Sequence, residues 1–154
     1  MTTSASPDTD TENATEDLAA EASEVRIATF RLARRLRAER AVDSMSDAQF
    51  AVLATLKIHG PHTLGDLAER ERVSAPSMNR TVNCLEESGY LTRTPDDVDR
   101  RKVNIAVTDA GRGVVEETAR RRDAWLEGVL GELPPAKRVL LRQAAEVMLE
   151  VAGL

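Results

Sequence analysis

The chain has 154 residues and a formal net charge of -5, with 42% hydrophobic, 31% charged and 3% aromatic side chains. That length suits one domain with some extended helices, and the few aromatics argue against a β-sandwich and for a core of Leu, Val and Ala. No apolar run nears the roughly 20 residues of a membrane span, no basic-then-apolar leader opens the chain, and the lone Cys84 permits no internal disulfide, so the expectation is a reduced, cytoplasmic protein.

The charge is unevenly placed. Residues 1–17 contain Asp8, Asp10, Glu12, Glu16 and Asp17 and no Lys or Arg, which leaves 21 basic against 21 acidic residues in the rest. Residues 1–16, rich in Thr, Ser and acid, have almost nothing to bury and read as a disordered acidic tail.

From Asp17 to about Arg40, Leu18, Ala22, Val25, Thr29, Leu32 and Leu36 recur at helical spacing, and Arg31, Arg34, Arg35, Arg37 and Arg40 crowd the later turns. Ser46 is a good N-cap for a second helix that stops at Gly60-Pro61 and turns Phe50, Leu53 and Leu56 inward. Thr63 can cap a short third helix burying Leu64, Leu67 and Ala68 and ending near Arg72. Ser74 can cap a fourth, with Pro76 tolerated in its first turn and Gly89 as its stop. Two short helices joined by a tight turn make a helix-turn-helix by length alone.

"YLTRT" and "KVNIAV" then alternate as strands around the polar "PDDVDRR", predicting a hairpin with a long loop. Thr108 or Asp109 caps a long helix reaching about Gly131. Pro134-Pro135 opens a last one, whose apolar stripe is Leu140, Ala144, Val147 and Val151. The expected fold is mainly α with a small β-hairpin wing: a winged helix-turn-helix core flanked by long helices. A winged helix of about 60 residues cannot cover both flanking stripes, so these are expected to pack together and across a two-fold partner.

Projected at 100° per residue, the fourth helix turns Met78, Val82 and Leu85 to the core and Pro76, Arg80, Asn83 and Glu87 outward, flanked by Ser77 and Asn79. Short polar groups with one Arg suit a major groove: Asn pairs bidentately with adenine, Arg with guanine, and Ser reaches a base or a phosphate. An ordinary solvated face has the same composition, and the hairpin tips the balance. It carries Arg100 and Arg101 to a tip that can enter the narrow, negative minor groove, and Asp99 can hold the Arg101 guanidinium in a bidentate pair and aim it.

"MSDAQFAVLATLKIHGPHTLGDLAERERVSAPSMNRTVNCLEESGYLTRTPDDVDRRKVNIAVTDAG" resembles the winged-helix core of the MarR family of bacterial transcriptional regulators. The most specific matches are "LAER", Ser74, Arg80, "LEESGYLTR", the Asp99-x-Arg101 wing motif and "VTDAG". The resemblance implies a cytoplasmic homodimer that engages double-stranded DNA at a short pseudo-palindromic operator. It also implies repression relieved by a small phenolic or other lipophilic ligand, with no cofactor. The DNA-binding residues are then Thr63, Ser74, Pro76, Ser77, Asn79, Arg80, Asn83, Asp99, Arg100 and Arg101. The division is a tail over 1–16, a dimerisation helix over 17–44, the winged helix-turn-helix over 45–108 and dimerisation helices over 109–154.

Other chemistries find less support. Cys84 lies beside the inward face of the fourth helix and is expected to be a small buried residue. His59 and His62 have no obvious third ligand for zinc, and Trp125 is expected in core or interface packing. No paired carboxylates, Ser/His/Asp set or phosphate loop points to an enzyme. The window 60–107 carries seven cations against eight acids, so DNA affinity should be modest and salt-dependent. That same balance favours the rival reading, a winged-helix module that contacts protein and not DNA.

Overall fold

The computed structural model of the protein describes residues 8–95 and 102–153, with side chains from residue 17 onward. It divides into two compact units, Met1–Ala38 and Glu39–Leu154.

The first unit contains one helix, α1 (Asp8–Arg37). Its described part runs from Asp8, ahead of the apolar spacing that starts at Asp17, and so takes in residues that composition alone assigned to the tail. Acidic residues are favoured at a helix N-terminus and basic ones at its C-terminus. Arg34, Arg35 and Arg37 occupy the last turn of α1, the end where cations are favoured. The helix stops at Arg37, short of Arg40.

The second unit contains α2 (Asp47–His59), β1 (His62–Thr63), α3 (Leu64–Arg70), α4 (Ala75–Glu87), β2 (Leu91–Pro95), β3 (Val103–Val107), α5 (Asp109–Glu132) and α6 (Pro135–Ala152). The expected N-caps all form. Ser46, Thr63, Ser74 and Thr108 accept from the backbone N–H of Gln49, Asp66, Ser77 and Gly111, each filling one donor that a helix start leaves open.

The core of this unit joins Val52, Leu53 and Leu56 of α2, Leu67 and Ala68 of α3, Met78, Val82 and Leu85 of α4, Leu91, Ile105 and Val107 of the strands, and Val115 of α5. Each large side chain so buried contributes roughly 1.5–3 kcal/mol. Phe50, placed inward by periodicity, is only partly buried; the Arg122 guanidinium covers its ring at 4.6 Å. The polar Thr118, unmarked in the sequence reading, is fully buried, and its hydroxyl accepts from the Ala41 N–H at 3.2 Å. With Arg121 donating to the Arg40 carbonyl at 2.6 Å, it ties the segment before α2 to α5.

The sheet is antiparallel in the order β1-β3-β2, with Arg93 opposite Ile105 in the hairpin and His62 opposite Ile105 on the other side. The hairpin was expected; β1 was not, because two residues are too few to display alternation.

Two glycines have geometric reasons. Gly89 adopts φ 77° as α4 ends, and the Gly89 and Tyr90 N–H groups donate back to the Glu86 and Leu85 carbonyls at 2.9 Å each, the left-handed close that favours glycine. Gly111 has no such angle. A Cβ there would press on the Tyr90 carbonyl and lie 2.7 Å from a Val107 methyl, so the start of α5 needs its missing side chain to pass over β3. The same Tyr90 carbonyl accepts from the Thr108 N–H at 3.0 Å. The Thr108 hydroxyl donates to the Gly89 carbonyl at 2.8 Å and accepts from the Gly111 N–H, which accounts for the Thr of "VTDAG" beside its Gly.

Candidate nucleic-acid interface

The turn between α3 and α4 spans residues 71–74 and is closed by Arg72 at φ 52°, with the Val73 N–H donating to the Ala68 carbonyl at 3.0 Å. It presents α4 with Met78, Val82 and Leu85 inward, as the projection expects. Ser74, Pro76, Ser77, Asn79, Arg80 and Asn83 are all exposed along the opposite side. Ser74 is committed to its cap, accepting from the Ser77 N–H at 3.4 Å. Arg80 makes no hydrogen bond or ion pair among the described residues, so its fork of donors faces solvent.

Arg93 behaves in the opposite way, and the sequence reading did not single it out. From β2 it reaches across to α4, pairing through one terminal nitrogen with Glu86. Through the other it donates to the Asn83 side-chain oxygen at 2.7 Å and, more weakly, to that of Asn79 at 3.4 Å. The signal lay in the strand period: residues two apart share a face, so Arg93 lies on the side of the buried Leu91.

Thr63 is half-buried and engaged within its own cap. Its hydroxyl donates to Asp66 at 2.7 Å, and the Asp66 carboxylate accepts from the Thr63 N–H at 3.2 Å. These bonds, the side-chain one foremost, hold the Asp66 carboxyl below its ordinary range. Asp99, Arg100 and Arg101 lie outside the described residues.

Two of the acids that lower the local charge are partnered internally. Glu71 accepts from the Thr55 hydroxyl at 2.7 Å, and Glu86 holds Arg93. Arg40, counted among the basic cluster, is paired with Asp47.

Residues 45–103 match the MarR family. An HTH-type transcriptional regulator of Mycobacterium leprae is 40% identical over 130 residues, covering 84% of this chain and 91% of that protein. The chain belongs to the MarR family. The HTH-type transcriptional repressor MdtR of Bacillus subtilis is 31% identical over 108 residues, 70% of this chain and 68% of that protein. Among solved structures, a transcriptional regulator of Thermotoga maritima superposes with a TM-score of 0.72 at 27% identity, covering 86% of this chain and 93% of that one. A MarR family protein of Bacillus stearothermophilus reaches 0.76 at 20% identity, covering 91% and 98%, and shares the fold. The protein is thus a MarR family transcriptional regulator with DNA as its partner, on the winged helix-turn-helix expected from sequence. Among the described residues, no helix is long and apolar enough to cross a membrane.

One expectation for this MarR chain is corrected. Cys84 is exposed, not buried. It sits one residue before the buried Leu85, hence a 100° turn away from it, at the margin where α4 meets α2. There its sulfur accepts from the Gln49 side chain at 3.0 Å. The two imidazoles are also engaged locally, His59 accepting from Arg70 and His62 facing the Gly60 carbonyl, each at 2.8 Å.

Proposed function

We propose that this MarR family protein is a homodimeric repressor in which α4 of each protomer enters a major groove and the hairpin tip reaches the adjacent minor groove. The observation that carries the reading is the exposed outer face of α4, where Ser77 and the unpaired Arg80 stand free over a core-anchored helix. Arg80 is the base-reading cation. Repression is favoured by the kinship with MdtR, named a repressor. Release by a small aromatic or lipophilic ligand follows the family resemblance. The homodimer is supported by α6, which buries none of its own residues and leaves Leu140, Val147 and Val151 exposed.

The rival module, which contacts protein and not DNA, draws on the near-neutral charge of the window 60–107. A mobility shift on the DNA upstream of the protein's own gene separates the two. The repressor reading expects a shifted complex that weakens steeply with salt and by about 1–3 kcal/mol in Arg101→Ala, the range of a good base contact. An unshifted duplex at low salt leaves the rival standing, and a shift that Arg101→Ala does not weaken removes the wing from the mechanism.

A further inference from the structure

We infer that Arg93 sets the base preference of α4, by holding the side-chain oxygen of Asn83 so that Asn83 offers DNA a donor and not the donor–acceptor pair that reads adenine. The inference rests on the DNA-reading role proposed above and assigns a positioning residue within it.

The chemistry of the pair forces the orientation. Arginine has donors only, so the Asn83 atom facing it at 2.7 Å is the carboxamide oxygen. The carboxamide is planar, and an oxygen turned toward β2 leaves the N–H₂ group pointing away from the guanidinium. Arg93 cannot easily swing off, because its other terminal nitrogen is paired with Glu86 and the two side chains are only 31% and 35% exposed. Asn79, Asn83 and Glu86 stand on successive turns of α4, so one guanidinium engages the whole stripe.

Adenine is read when Asn accepts from N6–H and donates to N7 along one edge. Here one of the two lone pairs of that oxygen is filled by Arg93, and an incoming N6 amino group would bring further positive hydrogens up against the same guanidinium. The group Asn83 offers most readily is therefore its donor. It matches bases that present acceptors in the major groove, guanine through O6 and N7 or thymine through O4. Asn with both edges free pairs bidentately with adenine; the Arg93 contact sets Asn83 apart from that general case. Arg80, free on the same helix, keeps its own guanine-reading capacity.

The test is selection of duplexes from a randomised pool by the full-length protein, followed by affinity measurements. The base pair read by Asn83 is the one whose preference disappears in Asn83→Ala. Guanine or thymine is expected there, with adenine roughly tenfold weaker or more. Arg93→Met frees the oxygen and is expected to shift that position toward adenine, an outcome that mere loss of stability does not produce. Asn83→Asp keeps an oxygen for Arg93 but has no N–H to donate, so it should lose the preference as Asn83→Ala does; it carries the test if Arg93→Met fails to fold. Adenine preferred by the unaltered protein, with a tenfold loss when a purine lacking N6 replaces it, would overturn the inference. So would an Asn83→Ala protein with unchanged preference at every position. Failure to enrich any duplex would instead overturn DNA reading itself, and this inference with it.

Discussion

Helices α4 and α6 carry apolar stripes of the same spacing and end in opposite environments. Met78, Val82 and Leu85 of α4 are 2%, 0% and 1% exposed, whereas Leu140, Val147 and Val151 of α6 are 64%, 57% and 84% exposed. Periodicity identifies which side of a helix is apolar; it does not say what covers that side. For α4 the cover lies within the same sixty residues, on α2, α3 and the hairpin. For α6 no element of its own unit closes over the stripe, and a second copy is the proposed cover.

The contrast can be broken most sharply on α6. Leu140→Glu with Val147→Glu places charges on the stripe, and we expect sedimentation to show monomers where the unaltered protein gives dimers. A dimer that survives both changes would separate α6 from the interface. The same pair should leave the fold of the winged core intact, because neither side chain is buried. Leu53→Ala tests the other side of the comparison. Leu53 is fully buried in α2, and its truncation should cost about 2–5 kcal/mol, read from denaturant unfolding. Next in size is Gly111→Ala, which drives a methyl against the Tyr90 carbonyl. Overpacking of this kind costs about 1–3 kcal/mol, and a lowered Tm is expected even though Ala is the better helix former.

The smallest effect is electrostatic. On α5, Arg120 foremost and then Arg121 hold the Glu117 carboxyl at about 2, below its ordinary 4.5. A carboxyl whose pKa falls on folding stabilises above its unfolded value and loses that contribution as pH drops through the folded one. The Tm advantage of the unaltered protein over Glu117→Gln should therefore be complete above about pH 4.5 and vanish near pH 2. An advantage independent of pH would show that packing, and not charge, explains the residue. Because the cluster is solvated, the difference is expected to be small.

Much of the fold was legible because local chemistry and global packing agree. Ser46, Thr63, Ser74 and Thr108 mark the helix starts, Gly89 marks a stop, and the inward residues of α4 follow from one projection. What escaped were features built from residues distant in sequence. β1 is two residues that become a strand only by pairing with β3. Thr118 is buried because it meets Ala41, 77 residues earlier. The part of α1 ahead of Asp17 has no apolar marker. At the interface, the outward residues of α4 were placed by periodicity, but their hydrogen-bonding state was not: Arg80 and Arg93 look alike in sequence, and only the fold makes one free and the other a brace for Asn83.

For DNA to be read as proposed, two protomers must present α4 to the same face of a duplex. Hydroxyl-radical footprinting on a selected duplex tests this most directly. Two protected patches related by a two-fold axis are expected, their centres one helical turn of about 10–10.5 bp apart or a multiple of it, both fading in Arg80→Ala. A single patch, or a pair that Arg80→Ala leaves unchanged, would contradict it.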